Sequence, residues 1–283
     1  MIKILSVSLY VPYDKVEHAG GQIHNYYIKY LKKQSDIDIK IITFCQQKQL
    51  HKIDLNEYGI ENFLIVDDVI EKKITVTYVF NQIKNIFGVK LISRHRIELL
   101  FDQIVELKMQ GYTPNIIILE WTEIVLLASR IKSIYPQAKL IAIEHDVTFL
   151  GYKRKYLIEN NYIRYLRKKI KYIRVKQAEL QALKKCDLIA TLNEKDQNLL
   201  IKNGILKKKQ IILMPYFHNM LSLVRTKPNK DIIFYGAMNR VENYKSAIWF
   251  IENVFHNIEN EDVRFLIIGS NPDKSLDKFI SSR

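Results

Sequence analysis

The amino-acid sequence predicts an α/β fold: a parallel sheet covered by helices on both faces, followed by a second, shorter domain of the same kind. Three observations carry that expectation. Runs of Ile, Val and Leu of strand length alternate with stretches of helical period from the first residues onward. The runs are almost continuously apolar, as in strands buried on both faces. The alternation is interrupted once, at PYFHNMLSLVRTKPNK (215–230), where two prolines and basic residues break short apolar stretches, the composition of a linker.

The elements follow in order. Residues 2–9 (IKILSVSL) read as a buried strand, and QIHNYYIKYLKK (22–33) as a helix reached through a loop. DIKIITF (38–44) and ENFLIV (61–66) are strands, and 78–110 carries helical periodicity with a break at Gly88. NIIILEW (115–121) is a strand, 123–134 a helix and KLIAIEH (139–145) a strand; a long basic helical region spans about 153–185. DLIATL (187–192), a helix at 194–203 and QIILM (210–214) complete a first domain, 1–215. After a linker, 216–230, come strand 231–236, helix 243–257 and strand 263–269 in a second domain, 231–283. Those 53 residues hold one β-α-β unit and little more. Two strands bury too little to stand alone, so the second domain is expected to be incomplete, as in a C-terminally truncated chain.

Composition limits the class. With 48% hydrophobic and 11% aromatic residues among 283, a packed core is expected rather than disorder. Cys45 and Cys186 form no CxxC pair, so two buried thiols in a reducing compartment are expected, not a disulfide scaffold. Met1 leads straight into a strand-like run without the basic and long apolar regions of a signal peptide, and no stretch approaches the ~20 apolar residues of a membrane span. A cytoplasmic chain is the expectation. The formal charge of +14 points to nucleic acid, an anionic membrane face or an acidic substrate.

Candidate chemistry lies at the carboxyl ends of strands, where open α/β sheets bind ligands. Gly20-Gly21 precedes a helix, and glycines there let the backbone approach a phosphate or sugar oxygen. The chain has no GxGxxG after the first strand, no GxxxxGK[ST] and no GxSxG, which disfavours a nicotinamide enzyme, a P-loop ATPase and an α/β-hydrolase. Glu144-His145-Asp146 closes a strand; a histidine there can exchange a proton near neutral pH, with Asp146 as its expected orienting partner. Glu120 and Glu123 bracket the end of the neighbouring strand. The seven histidines show no ligand spacing, and Asp36-Ile37-Asp38 sits at the end of its strand away from the crevice; no metal and no cofactor are expected.

Between Gly151 and Cys186 stand twelve Lys or Arg against Glu159 and Glu179, interleaved with five tyrosines. Such a region suits an anionic bilayer or nucleic-acid phosphates. Without a nucleic-acid-binding motif, the membrane is favoured as partner of 153–185.

The order of these features resembles family 4 glycosyltransferases of the GT-B fold. The matching residues are Gly20-Gly21, the EHD at 144–146, CDLIATLNEKD (186–196), ILMPYFHN (212–219), YGAMNRVENYKSAIWFIENV (235–254) and FLIIGSNP (265–272). The resemblance covers the whole chain, about three-quarters of a family member. It implies two Rossmann-like domains facing a cleft, and retaining, metal-independent transfer from a nucleoside-diphosphate sugar to a glycan or lipid-linked acceptor. It places Gly20 and Gly21 near the donor phosphates and His145 at the transferred sugar; Glu120 and Asp146 are expected at the same crevice from their strand-end positions alone. The loop holding Gly236, Asn239, Arg240 and Asn243 falls at the diphosphate. Where many members carry an Arg and a Lys in that loop, this chain has Ala237 and Asn243, so Arg240 is the expected positive charge. The paired glutamates that hold the donor in the family would fall beyond Arg283. The expected setting is surface-polysaccharide synthesis at the inner face of a cell membrane; the other reading is a remnant or non-catalytic subunit that keeps only the acceptor and membrane surfaces.

Overall fold

The computed structural model describes residues 1–14, 16, 18–53, 64–66, 89, 91–213, 230–260 and 262–280. Two compact units are present, Met1–Phe217 and His218–Arg283. The predicted linker falls almost wholly outside the described residues, as do 61–63 of the second predicted strand pair and 78–88 of the predicted helical stretch.

The first unit is built on a parallel sheet. Its strands are β1 (Ile2–Ser8), β2 (Ile37–Cys45), β3 (Leu64–Val66), β4 (Ile116–Glu120), β5 (Lys139–Glu144), β6 (Leu188–Thr191) and β7 (Gln210–Ile212). They lie in the order β3-β2-β1-β4-β5-β6-β7, every pair parallel. This is the doubly wound arrangement, whose strand order reverses between β1 and β4 and opens a crevice at their carboxyl ends.

The alternation of side chains explains why the strands are apolar throughout. Leu5, Val7, Ile117, Leu119, Leu140, Ala142 and Ile189 face one way, into a core with Leu100, Ile104, Val125, Ile131, Val175 and Leu183. Ile4, Ile118, Ile143 and Ala190 face the other way, against Tyr27 and Leu31. Both faces of the sheet centre are covered, which is why its strands are mostly apolar.

The helices refine the expected boundaries. Helix α1 runs Ala19–Lys32, so Gly20 and Gly21 lie in its first turn rather than in a loop before Gln22. The imidazole of His18 makes the earlier start workable, because its Nδ1 accepts the Gly21 N–H at 3.0 Å. Helix α2 is Arg94–Met109, capped by the Ser93 side chain. The expected helix 123–134 is two short ones, α3 (Trp121–Val125) and α4 (Ala128–Ile134). The basic region is also two helices, α5 (Thr148–Leu157) and α6 (Tyr162–Lys185), followed after β6 by α7 (Glu194–Lys202). Asn161 starts α6 by accepting the Arg164 N–H at 3.0 Å.

α5 and α6 form a hairpin fastened at its base. Val147 gives α5 no side-chain cap; instead Glu179 of α6 accepts the backbone N–H groups of Thr148 and Phe149, each at 2.9 Å. Glu144, at the end of β5, is fully buried and accepts the Thr122 hydroxyl at 2.7 Å. Burial drives the Glu144 carboxyl well above its ordinary range, and the Glu179 charge adds to the shift. Burial likewise raises Glu179 to about 8, against the lowering effect of its two backbone donors.

The second unit has strands β8 (Asp231–Tyr235) and β9 (Arg264–Ile268), parallel and joined by helix α8 (Val241–Asn253), with a short α9 (Asp277–Ile280). Its core is Met238, Ala247 and Leu276, packed by Phe234, Ile248, Phe265 and Ile267. Gly269 follows β9 so closely that a Cβ there would sit 1.7 Å from the Gly236 carbonyl oxygen, so only glycine fits. Cys45 and Cys186 are buried thiols. Among the described residues no helix is long and apolar enough to cross a membrane.

Two stability measurements check this packing. Leu119→Ala, at a position with no exposure, should cost about 2–5 kcal/mol in denaturant unfolding, whereas Val105→Ala on the exposed side of α2 should stay within about 0.5 kcal/mol. The second concerns pH. A carboxyl whose folded pKa lies above its unfolded value binds more protons in the native state, so it weakens the fold as pH rises through the interval between the two. For Glu144 and Glu179 that interval opens at 4.5 and, for Glu179, reaches about 8. Glu144→Gln should therefore match the parent Tm near the low end of the interval and exceed it near the high end. Parallel Tm curves would contradict the assignment.

Candidate active site

At the carboxyl ends of β1, β4 and β5, beside the strand-order reversal, β4, α3 and α1 converge on one imidazole carried by the end of β5. His145 directly follows β5 and is 8% exposed; Glu120 ends β4 and is fully buried. His145 Nε2 lies 2.9 Å from Glu120 Oε2. The β4–β5 register, which sets Glu120 beside Ile143, brings the two side chains within reach. Glu120 and not Asp146 is therefore the orienting carboxylate. Asp146 is one residue further along a chain whose side chains alternate, and it is exposed.

Burial raises the Glu120 carboxyl, while the hydrogen bond and charge of His145 pull it back down. With the Nε2–H donated to Glu120, the neutral ring presents Nδ1 as an acceptor. Nδ1 is buried and, among the described residues, has no hydrogen-bond partner; nor does Glu120 Oε1.

Trp121 forms the wall of the site. Its ring stacks on His145 with centroids 4.4 Å apart and planes at 17°. The backbone that places it there has φ of 66°, an unfavourable region for a bulky side chain, worth about 1–3 kcal/mol of strain. That turn lets β4 pass into α3 without a loop and brings the indole over the imidazole.

The first turn of α1 packs against the Nδ1 edge of the imidazole and the Trp121 Nε1. A Cβ on Gly20 would lie 3.1 Å from His145 Nδ1 and 3.5 Å from Trp121 Nε1; one on Gly21 would lie 2.7 Å from the His18 ring. A side chain at either position would push the helix away from the imidazole. Tyr10 meets both His18 and Trp121 at 4.9 Å. His24, one turn beyond Gly20, reaches Trp121 at 5.5 Å. His24 is fully buried, and burial, with the neighbouring His145 and His18, pushes it down to about 3; it is neutral at ordinary pH.

Of the predicted residues, the fold thus brings together Gly20, Glu120 and His145, with Gly21 one position away against His18. Asp146 opens instead onto a cavity of about 610 Å³, with Thr148, Arg154, Asn193 and Lys195 among its lining. Glu123 lies on α3, its carboxyl raised by burial. Asp36 and Asp38 stand at the amino end of the sheet, beside β1 at Ile2 and Lys3. Among the described residues no group of three or more His, Cys, Asp or Glu could hold a metal ion.

In the second unit, Gly236, Asn239 and Arg240 lie in the turn between β8 and α8. Asn239 and Arg240 are exposed, and Arg240 gives α8 no side-chain cap. The Asn243 amide donates to the Ala237 carbonyl at 2.9 Å and lies 3.0 Å from where a Gly236 Cβ would be. It braces the turn from inside.

Trp121, His18, His24 and Tyr10 were not singled out by sequence. The only signal available was the pair of histidines flanking Gly20-Gly21, with His24 four residues after Gly20 and so on the same helix face.

No known protein-family profile matches the chain, and no curated protein sequence matches it. Solved structures do resemble it. The N-terminal domain of trehalose-6-phosphate phosphatase from Candida albicans aligns at a TM-score of 0.55 with 12% identity, covering 99% of this chain and 67% of that one. The lipopolysaccharide outer core galactosyltransferase WaaB, in its apo form, aligns at 0.51 with 9% identity, over 100% of this chain and 71% of that one. HepE of Anabaena, in complex with UDP, aligns at 0.51 with 10% identity, over 95% and 70%. At these identities the likeness is one of fold: the chain is an α/β protein with Rossmann-like units of the GT-B type.

Proposed function

We propose that this chain is a glycosyltransferase that moves a sugar from a nucleoside-diphosphate sugar to a glycan or lipid-linked acceptor, with retention of configuration and without a metal ion. The observation that carries the reading is the Glu120–His145 pair at the strand-order reversal, 2.9 Å apart, whose other ring nitrogen has no hydrogen-bond partner among the described residues. A nicotinamide or phosphate-loop enzyme would place a glycine-rich phosphate turn at this edge. Here the edge carries a fixed imidazole, an indole wall and a helix start stripped of side chains, which suits a polyhydroxylated ring. Two proteins of similar fold add support: one is named as a galactosyltransferase and another binds UDP.

In this reading Glu120, by accepting from Nε2, selects Nδ1 of the neutral ring as the acceptor for a hydroxyl of the transferred sugar. Gly20 and Gly21 let the backbone of α1 come close to the donor. Asp146 borders the acceptor side. The enzyme acts at the cytoplasmic face of a cell membrane in surface-polysaccharide synthesis.

Calorimetry tests the binding half. At least one of UDP, GDP or ADP should bind the chain, and its sugar conjugate should bind tighter. His145→Ala should weaken the sugar conjugate about tenfold, the loss of one buried hydrogen bond, and leave the bare nucleotide within about twofold. Equal effects on both would reject the role of His145, and no binding by any of the three would reject the donor. In a transfer assay, Glu120→Ala should lower kcat more than it raises KM, because it frees the ring rather than removing a sugar contact.

A further inference from the structure

The α5–α6 hairpin has a second surface that the site does not use. Its inner side is committed: Tyr156 packs on Tyr165 and Tyr172 at 5.6 and 5.2 Å, Lys168 pairs with Glu159, and Glu179 ties α6 to the start of α5. The outer side carries large apolar groups in water. At the tip, Leu157 is 60% exposed, Ile158 78%, Tyr162 72% and Ile163 62%; Leu166, Ile170 and Ile173 continue the row along α6.

These residues form a stripe. At about 100° per residue, Tyr162, Ile163, Leu166, Ile170 and Ile173 fall within an arc of about 100°, away from the arc of Tyr165, Tyr172, Val175 and Glu179 that packs inward. Arg167 borders the stripe on one side and Lys169 on the other, both exposed. Lys153, Arg154 and Lys155 add charge from α5, also exposed. From Lys153 to Lys169 only Glu159 is acidic, and Lys168 already engages it.

An apolar row between two basic borders is the layout of a helix lying in a bilayer interface: aliphatic groups enter the acyl boundary while the cations meet lipid phosphates. Nucleic acid would use the cations but gain nothing from five aliphatic or aromatic groups held in water along one row. An acidic protein partner would have to match both borders and the row together. We propose that the outer face of the α5–α6 hairpin docks on an anionic lipid surface, with the tip residues Leu157, Ile158, Tyr162 and Ile163 entering the interface first. The proposal is independent of the sugar-transfer reading, and either can fail alone.

Co-sedimentation of the full chain with vesicles tests it. Phosphatidylcholine vesicles containing about one-third phosphatidylglycerol should bind the chain at least tenfold more tightly than pure phosphatidylcholine, since each interfacial cation contributes about fivefold. Arg167→Glu with Lys169→Glu should lower that binding at least tenfold, and so should Ile163→Ser with Leu166→Ser. Both pairs are exposed, and unchanged circular dichroism would establish that they fold. Equal affinity for the two vesicle types, or none for either, would overturn the proposal. So would an Ile163→Ser/Leu166→Ser chain that binds anionic vesicles like the parent. Binding of polyuridylate that is tighter than vesicle binding and insensitive to the serine pair would assign the face to nucleic acid instead.

Discussion

An imidazole at the end of a strand is useful only if its second nitrogen is held, and here Glu120 holds it from the neighbouring strand. The contact is costly in isolation, because a fully buried carboxylate loses several kcal/mol of hydration. It persists because both partners are placed by the sheet: β4 and β5 are locked in parallel register from Ile116 to Glu120, and each strand ends where its functional side chain begins. The competition between burial, which raises the Glu120 carboxyl, and His145, which lowers it, makes the pair sensitive to what occupies the free nitrogen. The strained turn at Trp121 and the bare first turn of α1 follow from the same need. Both bring atoms against a ring that cannot move.

A second group of carboxylates serves the scaffold. Glu144 and Glu179 lie below the site and join β5 and α3 to the hairpin; neither touches His145. Their raised pKa values come from burial with few donors, and Glu179 spends its two oxygens on the start of α5. The result is a hairpin rigid at its base and polar-apolar at its outer face. One element thus separates two tasks, since the face that builds the unit and the face left in water are different arcs of the same helix.

Most of the fold was legible in the sequence because both faces of the sheet are dry. Ile4 and Leu5, or Ile117 and Ile118, point to opposite cores, so the strands appear as largely apolar runs without strict alternation. Helix starts were less legible. α1 begins three residues before the expected Gln22 because a histidine caps it, a role for which sequence usually offers Ser, Thr, Asp or Asn. The basic region reads as one long helix, since the break at 158–161 contains neither glycine nor proline.

The site was legible in part. Gly20, Glu120 and His145 end their strands or start their helix, so the doubly wound topology alone brings them to one edge. The choice of Glu120 over Asp146 as the partner of His145 depended on strand register, which no single sequence displays. Trp121 was hidden for a different reason: an aromatic residue ending an apolar run looks like core, and only its positive φ turns it onto the imidazole.

The most direct measurement of the central pair is nitrogen-15 NMR of the histidine rings, with the signals of His145 assigned by their loss in His145→Gln. In the unliganded chain His145 should carry a proton on Nε2, donated to Glu120. Addition of the nucleoside-diphosphate sugar that binds should move the Nδ1 signal as it accepts a hydroxyl, with Nε2 still protonated. A ring protonated at Nδ1 alone, or a saturating donor that leaves both nitrogens of His145 unmoved, would contradict a site built on Glu120 and His145.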